Sequence, residues 1–501
     1  MTTYEGQPSA EENLDPQDWD SMRELGHQML DDLLDYLESI GQRPAWQPMP
    51  QEAKAHFTTH VPWEAQDPQS IYEEFKEFVM PYPVGNTHPR FWGWLFGSGT
   101  VMGAFAELLA AGMNTNGGDL DNHSAIHVET QVVNWLKEML GFPASTSGLL
   151  TNGCSAANLN GLAVARHAKV PWDLRQEGLQ GDHPRLVLYA STEAHSSIRK
   201  AVELLGLGSE ALRQVAVDED YRIDLAALET AIQQDRRLGL LPFCVVGSAG
   251  TVNTGAFDDL QALADLCQAQ DLWLHVDGAF GAWATLAPSV RHLTAGMPRA
   301  DSLAFDLHKW MYMPYELGCV LVRDENLHRQ AFSYTPPYLA GGENGRGLTG
   351  GDLPWFTDKT FELSRGFRSL KAWMSLKEHG VEKYARLIDQ NVRQAHYLAE
   401  LVEAAPELEL LAPAPLNLVC FRYVRPGLEE AILEEINRGI MLALQEQGMA
   451  VLSSTRLGER FALRVGHTNH RSRREDFELL VREVRRLGNQ LYADLPGHRQ
   501  A

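Results

Sequence analysis

The chain has 501 residues, 44% of them hydrophobic, and a formal charge of −23. That length supports two or three domains with substantial cores, and the acidic balance argues against nucleic acid or an anionic membrane surface as a main partner. Glycine (42) and proline (25) are present in ordinary amounts, which excludes collagen-like or low-complexity architecture. The opening MTTYEGQPSAEENLDPQDWD lacks the basic and apolar regions of a secretory signal, and no apolar run is long enough to span a bilayer. Cys154, Cys244, Cys267, Cys319 and Cys420 form no CxxC pair and four lie in apolar runs, which predicts buried free thiols and a cytoplasmic protein.

Residues 18–40 read as an amphipathic helix with Met22, Leu25, Met29, Leu33 and Leu37 on one face. A proline-rich connection and a helical piece near SIYEEFKEFVMPYP follow, so this first part needs another surface to pack against. From about residue 130 the rhythm changes. Helices at ETQVVNWLKEMLGFP and SAANLNGLAVARHAKV precede strand RLVLYAS and helix HSSIRKAVELLG. Strand FCVVGSAG, helix DLQALADLCQAQ and strands LWLHVDG, SLAFDLH and GCVLVR come next. Such alternation predicts a mostly parallel sheet covered on both faces, with ligands bound where strands end. Residues 339–352 are glycine-heavy and read as a flexible loop. FRSLKAWMSLKEHGVEKYARLIDQNVRQAHYLAELVE reads as one long helical region. The tail offers strands LNLVCFRYV and RFALRVG and a final helix, a smaller α+β domain.

Four candidate groups fall at element ends. Lys309 closes a buried run, where lost hydration would lower its pKa and sharpen its amine as a nucleophile. Asp277 ends LWLHVD and is followed by the small Gly278 and Ala279; a carboxylate there must meet a cation, either an arginine or a ligand. Gly153-Cys154-Ser155-Ala156 open a helix whose free N–H groups favour an anion, although Ser155 also suits a plain N-cap. His195 lies just past a strand, where an imidazole can stack on a flat ring or simply cap a helix. Each has an ordinary structural reading alone. Together they form an aldehyde-binding amine, a partner for a ring nitrogen, a phosphate turn and a stacking ring, the requirements of pyridoxal phosphate. HSAIH puts His123 and His127 four apart, but with no third ligand in a known pattern no metal is expected. GCS around Cys154 lacks the GxSxG pattern of a nucleophile elbow.

These residues, with HVDGAF, HKW, EAHSS, GTVNTGAFD, FRSLKAW, FALRVG and HPRFWGW, resemble the group II pyridoxal-phosphate-dependent amino-acid decarboxylases over almost the whole chain. The resemblance implies an α/β protein of fold type I, like aspartate aminotransferase. Residues 1–100 would form a helical dimerisation segment, 101–370 the large cofactor domain and 371–501 the small one. It implies a carboxy-lyase acting as a homodimer with active sites at the interface, with pyridoxal 5'-phosphate as cofactor and an amino acid as substrate. By the same likeness Lys309 carries the cofactor aldehyde, Asp277 holds the ring nitrogen, and His195 and Ala279 flank the ring. Cys154, Ser155, Ala156, Asp306 and His308 contact the phosphate, and Thr251 and Val252 approach the cofactor. Tyr338, before the glycine-rich loop, would protonate the substrate carbon. Trp94, Phe96 and Gly97 would line the substrate pocket.

Several positions depart from the family pattern. Asp306 puts a carboxylate near a phosphate, Val252 stands where relatives often carry threonine, and Gly97 replaces a larger residue. NTNGGDLDN is more polar than its counterpart. The expected reaction is decarboxylation of an L-amino acid, aromatic by preference. An oxygen-using aldehyde synthase, which Tyr338 argues against, a decarboxylase of a small aliphatic or polar amino acid, a transaminase and an inactive cofactor-binding partner are the alternatives.

Overall fold

The computed structural model describes residues 12–118, 120, 122–334, 347–348 and 355–495. Seven strands form the larger sheet: β1 (Ser147–Thr151), β2 (Leu186–Ser191), β3 (Leu212–Val215), β4 (Leu241–Ser248), β5 (Trp273–Asp277), β6 (Ser302–Asp306) and β7 (Gly318–Val322). Their order is β1-β7-β6-β5-β4-β2-β3. β3, β2, β4, β5 and β6 run parallel, and β7 is antiparallel to both β1 and β6. The sheet is therefore mostly parallel, as expected, with one reversed strand that an apolar run cannot announce.

Every residue of β1, β2, β5, β6 and β7 is buried, which is why these strands read as continuous apolar runs. Alternate side chains go to opposite faces. Val187, Tyr189, Val245, Leu274 and Val276 pack under helices Ser124–Met139, Leu225–Arg237 and Leu260–Gln270. Leu188, Ala190, Cys244, Val246 and Trp273 pack under helices Cys154–Lys169 and Ser196–Leu204. All five cysteines are free and buried.

The second sheet is antiparallel, in the order β10-β11-β9-β8, from β8 (Leu408–Leu410), β9 (Leu418–Tyr423), β10 (Ser453–Leu457) and β11 (Arg460–Gly466). It packs with helices Val381–Glu403, Glu430–Glu446 and Arg474–Ala493 around its own core. The predicted long helix is two helices, Ser369–His379 and Val381–Glu403, parted by Gly380 at φ 68°, a left-handed position that glycine takes without steric penalty. Helix Val101–Met113 and strands β1, β3, β8 and β10 were not apparent in the sequence.

The first helix spans Trp19–Glu38, capped by the Asp18 carboxylate. Of its apolar stripe only Leu25 is buried, while Met29 and Leu33 stay exposed. Further on, the chain turns onto the small domain: Trp92 N–H donates to Val451 O at 2.8 Å, and Val451 N–H to Arg90 O at 3.0 Å. Thr468 donates to Phe96 O at 3.1 Å, Arg471 to Ser98 O at 2.8 Å and Asn469 to His88 O at 2.8 Å. Residues 88–99 are thus pinned by 467–471. No helix among the described residues is long and apolar enough to cross a membrane.

Candidate active site

The carboxyl ends of β2, β4, β5 and β6 lie along one edge of the sheet, and helix Cys154–Lys169 starts at that edge after β1. The sequence-predicted groups meet there as a contiguous series of contacts. Lys309 Nζ lies 3.1 Å from Asp306 Oδ2, and Asp306 Oδ1 accepts the Cys154 N–H at 2.6 Å. Cys154 Sγ is 3.5 Å from Asp277 Oδ1. Asp277 Oδ2 accepts from Asn158 Nδ2 at 3.0 Å, which also donates to Ser197 Oγ at 3.0 Å. Ser197 Oγ lies 2.8 Å from Nδ1 of His195, the N-cap of helix Ser196–Leu204.

Asp277 is 7% exposed, and its remaining protein donor is the Ala279 N–H at 3.1 Å. Among the described residues no lysine or arginine forms an ion pair with it. The arginine reading of Asp277 therefore has no support, and a buried acid held only by neutral donors has room for one cationic partner. Asp306 differs. Its charge is met by Lys309 and by the positive end of a helix, which answers the question of a carboxylate at this turn.

Lys309 departs from expectation. Burial pulls its pKa down, but Asp306, Cys154 and Asp277 together outweigh burial and the net shift is upward. The amine is thus held as an ammonium beside Asp306 and must give up a proton before it can bond an aldehyde. Burial holds His308 below its ordinary pKa, and its Nδ1 lies 3.1 Å from both the N and the O of Leu317. Ser155 is exposed, Ala156 is half-buried beside it, and the Cys154 N–H is already committed to Asp306.

After β4, Ala249 N–H donates to Asp277 O at 2.8 Å. Thr251 Oγ1 contacts Thr254 Oγ1 at 3.0 Å and accepts the Ala256 N–H at 3.1 Å. Val252 O accepts from Arg464, a side chain 4% exposed whose pKa burial pulls down to about 10. Phe91, Trp94 and Phe96 form an aromatic group with centroids 5.9–6.2 Å apart. Phe96 meets Tyr315 edge-on at 5.8 Å, and Tyr315 covers His308 at 4.4 Å. A Cβ on Gly97 would sit 1.9 Å from His308 O, so the missing side chain lets this loop press on the Lys309 segment. Tyr338 lies outside the described residues.

Sequence reasoning missed Asn158, Ser197, His275 and Tyr315. The signal for His275 was its spacing, two residues before Asp277 on one strand face. For Asn158 it was an amide inside an otherwise apolar helical run.

An amine, a buried carboxylate with no ion pair among the described residues and a helix start on the carboxyl edge of a mostly parallel sheet fit pyridoxal phosphate and define the fold type I class of enzymes that use it. A family profile described as "Pyridoxal-dependent decarboxylase conserved domain" matches residues 50–424, and the chain belongs to this family. Pyridoxal phosphate is accordingly its cofactor, and amino-acid decarboxylation its reaction. The chain is 33% identical over 480 residues to an aromatic-L-amino-acid decarboxylase of Bacillus atrophaeus, covering 95% of this chain and 97% of that one. A phenylacetaldehyde synthase of Arabidopsis thaliana is 28% identical, covering 90% and 92%. The solved structure of Oryza sativa TDC with PLP and tryptamine superposes with a TM-score of 0.87 at 27% identity, covering 96% of this chain and 100% of that one.

Proposed function

We propose that the protein decarboxylates an aromatic L-amino acid to its amine and carbon dioxide. The observation that carries this reading is the unbroken series of contacts from Lys309 through Asp306, Cys154, Asp277, Asn158 and Ser197 to His195. The aromatic group around Phe96 and Tyr315, beside His308, supports the substrate class, since aromatic rings pack edge-on or offset at these separations.

In this reading Lys309 Nζ would hold the cofactor aldehyde, and Asp277 would keep the proton on the ring nitrogen. His195 and Ala279 would flank the ring, and the loop at Thr251 and Val252 would approach it. Ser155 and Ala156 on the first turn of helix Cys154–Lys169, with His308, would hold the phosphate, while Asp306 takes the Cys154 N–H and balances Lys309. When bound, pyridoxal phosphate supplies an electron sink for the breaking Cα–carboxylate bond. Trp94 and Phe96 orient the substrate so that this bond is the one activated, and Gly97 brings their loop against Lys309. Tyr338 would deliver a proton to the substrate Cα, a role carried over from its match to the family's loop tyrosine.

The working form is a homodimer. Met29, Leu33, Ile71, Phe75, Val79 and Tyr82 line an open apolar groove on the N-terminal helices, and a second copy of the chain would cover it. An amino-acid panel with cofactor-loaded protein tests the function. Equal amounts of amine and carbon dioxide from phenylalanine, tyrosine or tryptophan are expected. Turnover confined to small aliphatic or acidic substrates would overturn the aromatic assignment. Aldehyde, ammonia and peroxide would establish the oxygen-using reaction, the reading that the Arabidopsis thaliana relative's name favours.

A further inference from the structure

Behind Asp277 lies a buried polar chain that the reaction does not touch. Trp273 Nε1 donates to Ser302 Oγ at 2.8 Å, and Ser302 Oγ lies 2.7 Å from His275 Nδ1. His275 Nε2 is 2.8 Å from Asn158 Oδ1, and Asn158 Nδ2 reaches Asp277 at 3.0 Å. Ser302 and His275 are wholly buried. Helix Cys154–Lys169 lies so close that a Cβ on Gly161 would be 2.7 Å from the imidazole.

The direction of each hydrogen bond follows from its two ends. An indole N–H only donates and a carboxylate only accepts. Facing Asp277, the Asn158 amide must turn its nitrogen to the acid and its oxygen to His275. Nε2 of His275 must then carry the proton. Burial keeps that imidazole neutral by holding its pKa at about 4, so Nδ1 is bare and accepts the Ser302 hydroxyl proton. The Ser302 oxygen is left to accept from Trp273. Every link donates toward Asp277, and the donor-only indole prevents the chain from reversing. The second Asn158 N–H goes to Ser197, which contacts His195 Nδ1 through both Oγ at 2.8 Å and N at 3.2 Å. One amide thus links Asp277 to the His195 side of the site.

We propose that His275 and Asn158, locked in direction by Ser302 and Trp273, are positioning residues that hold Asp277 as an oriented, ionised partner for the cofactor ring nitrogen. This rests on the assignment of Asp277 to that nitrogen. Four variants test it: His275→Leu, His275→Gln, Asn158→Asp and, in parallel, Asp277→Asn. The readouts are cofactor dissociation constant on the apo-protein, kcat, KM and melting temperature.

A hydrogen bond to a charged group controls about a 10- to 100-fold effect. His275→Leu is expected to lower kcat by about that factor and to weaken cofactor binding about tenfold, with KM within about twofold. His275→Gln keeps a donor for Asn158 and an acceptor for Ser302, and should recover most of the loss. Asn158→Asp, nearly the same size, sets a carboxylate against Asp277 and should weaken cofactor binding at least as much as His275→Leu. Equal impairment of the Leu and Gln variants, or wild-type cofactor affinity in His275→Leu, overturns the proposal. If His275→Leu does not fold, wild-type cofactor affinity in Asn158→Asp overturns it instead. Full activity in Asp277→Asn contradicts the role given to Asp277 itself. Loss in Asp277→Asn with intact His275→Leu contradicts only the relay.

Discussion

Glu129 and Asp277 are both buried acids beside the same sheet, and their surroundings differ in one respect. Glu129 is 1% exposed and faces Arg365, wholly buried, with nitrogen–oxygen distances of 2.6 and 3.2 Å. It also accepts the Leu150 N–H at 3.1 Å, while Arg365 donates to Gly117 O at 2.9 Å and Leu150 O at 2.6 Å. That acid is complete. Asp277 has an amide, a backbone N–H and a thiol around it and no ion-paired cation among the described residues. A buried acid with its counter-ion ties elements together, whereas one left without it is a receptor for a positive ligand.

The two acids should respond in opposite ways to substitution. Arg365→Met leaves Glu129 buried and unpaired, and should destabilise the fold by about 3–5 kcal/mol in denaturant titration. Adding Glu129→Gln to that variant should restore part of the loss; a double variant no more stable than Arg365→Met would break the contrast. Asp277→Asn should cost less stability than Arg365→Met, because no ion pair among the described residues depends on Asp277. Its kcat should fall about 10²- to 10³-fold, the scale seen when one electrostatic partner of a reacting group is removed.

A smaller effect follows from the imidazoles behind the sheet. Burial holds His275 at about 4 and His328 at about 3, against an ordinary value of 6.5. The unfolded chain therefore takes up protons below about pH 6.5 that the folded rings refuse until about pH 4 or below. The contribution of these rings is fully present above that window and is lost as pH falls, by up to about 1.4 kcal/mol per pH unit per ring. Denaturant midpoints measured between pH 7 and pH 5 should fall for the wild type, and fall less for a His328→Gln variant.

The Asp277 side of this contrast was legible in the sequence and the Glu129 side was not. Lys309 and Asp277 close apolar runs, and a charge ending a buried strand is visible without coordinates. Glu129 and Arg365 meet across 236 residues, and nothing in either neighbourhood points to the other. Strand β1 is five residues, SGLLT, behind a turn-rich stretch, too short for alternation to show. The reversal of β7 leaves no trace in its composition, since burial on both faces makes parallel and antiparallel strands equally apolar. Gly380 was visible, but the helical pattern resumes at once on its far side and masked the break. The raised Lys309 pKa needed the carboxylates of Asp306 and Asp277 brought together from two strands, which only the fold assembles.

Borohydride reduction of the holoenzyme, followed by proteolysis and peptide mapping, tests the attachment of the cofactor most directly. One pyridoxyl group per chain is expected, on the Nζ of Lys309, and none after Lys309→Ala. A label on any other residue, or a Lys309→Ala protein that still takes it up, would contradict it.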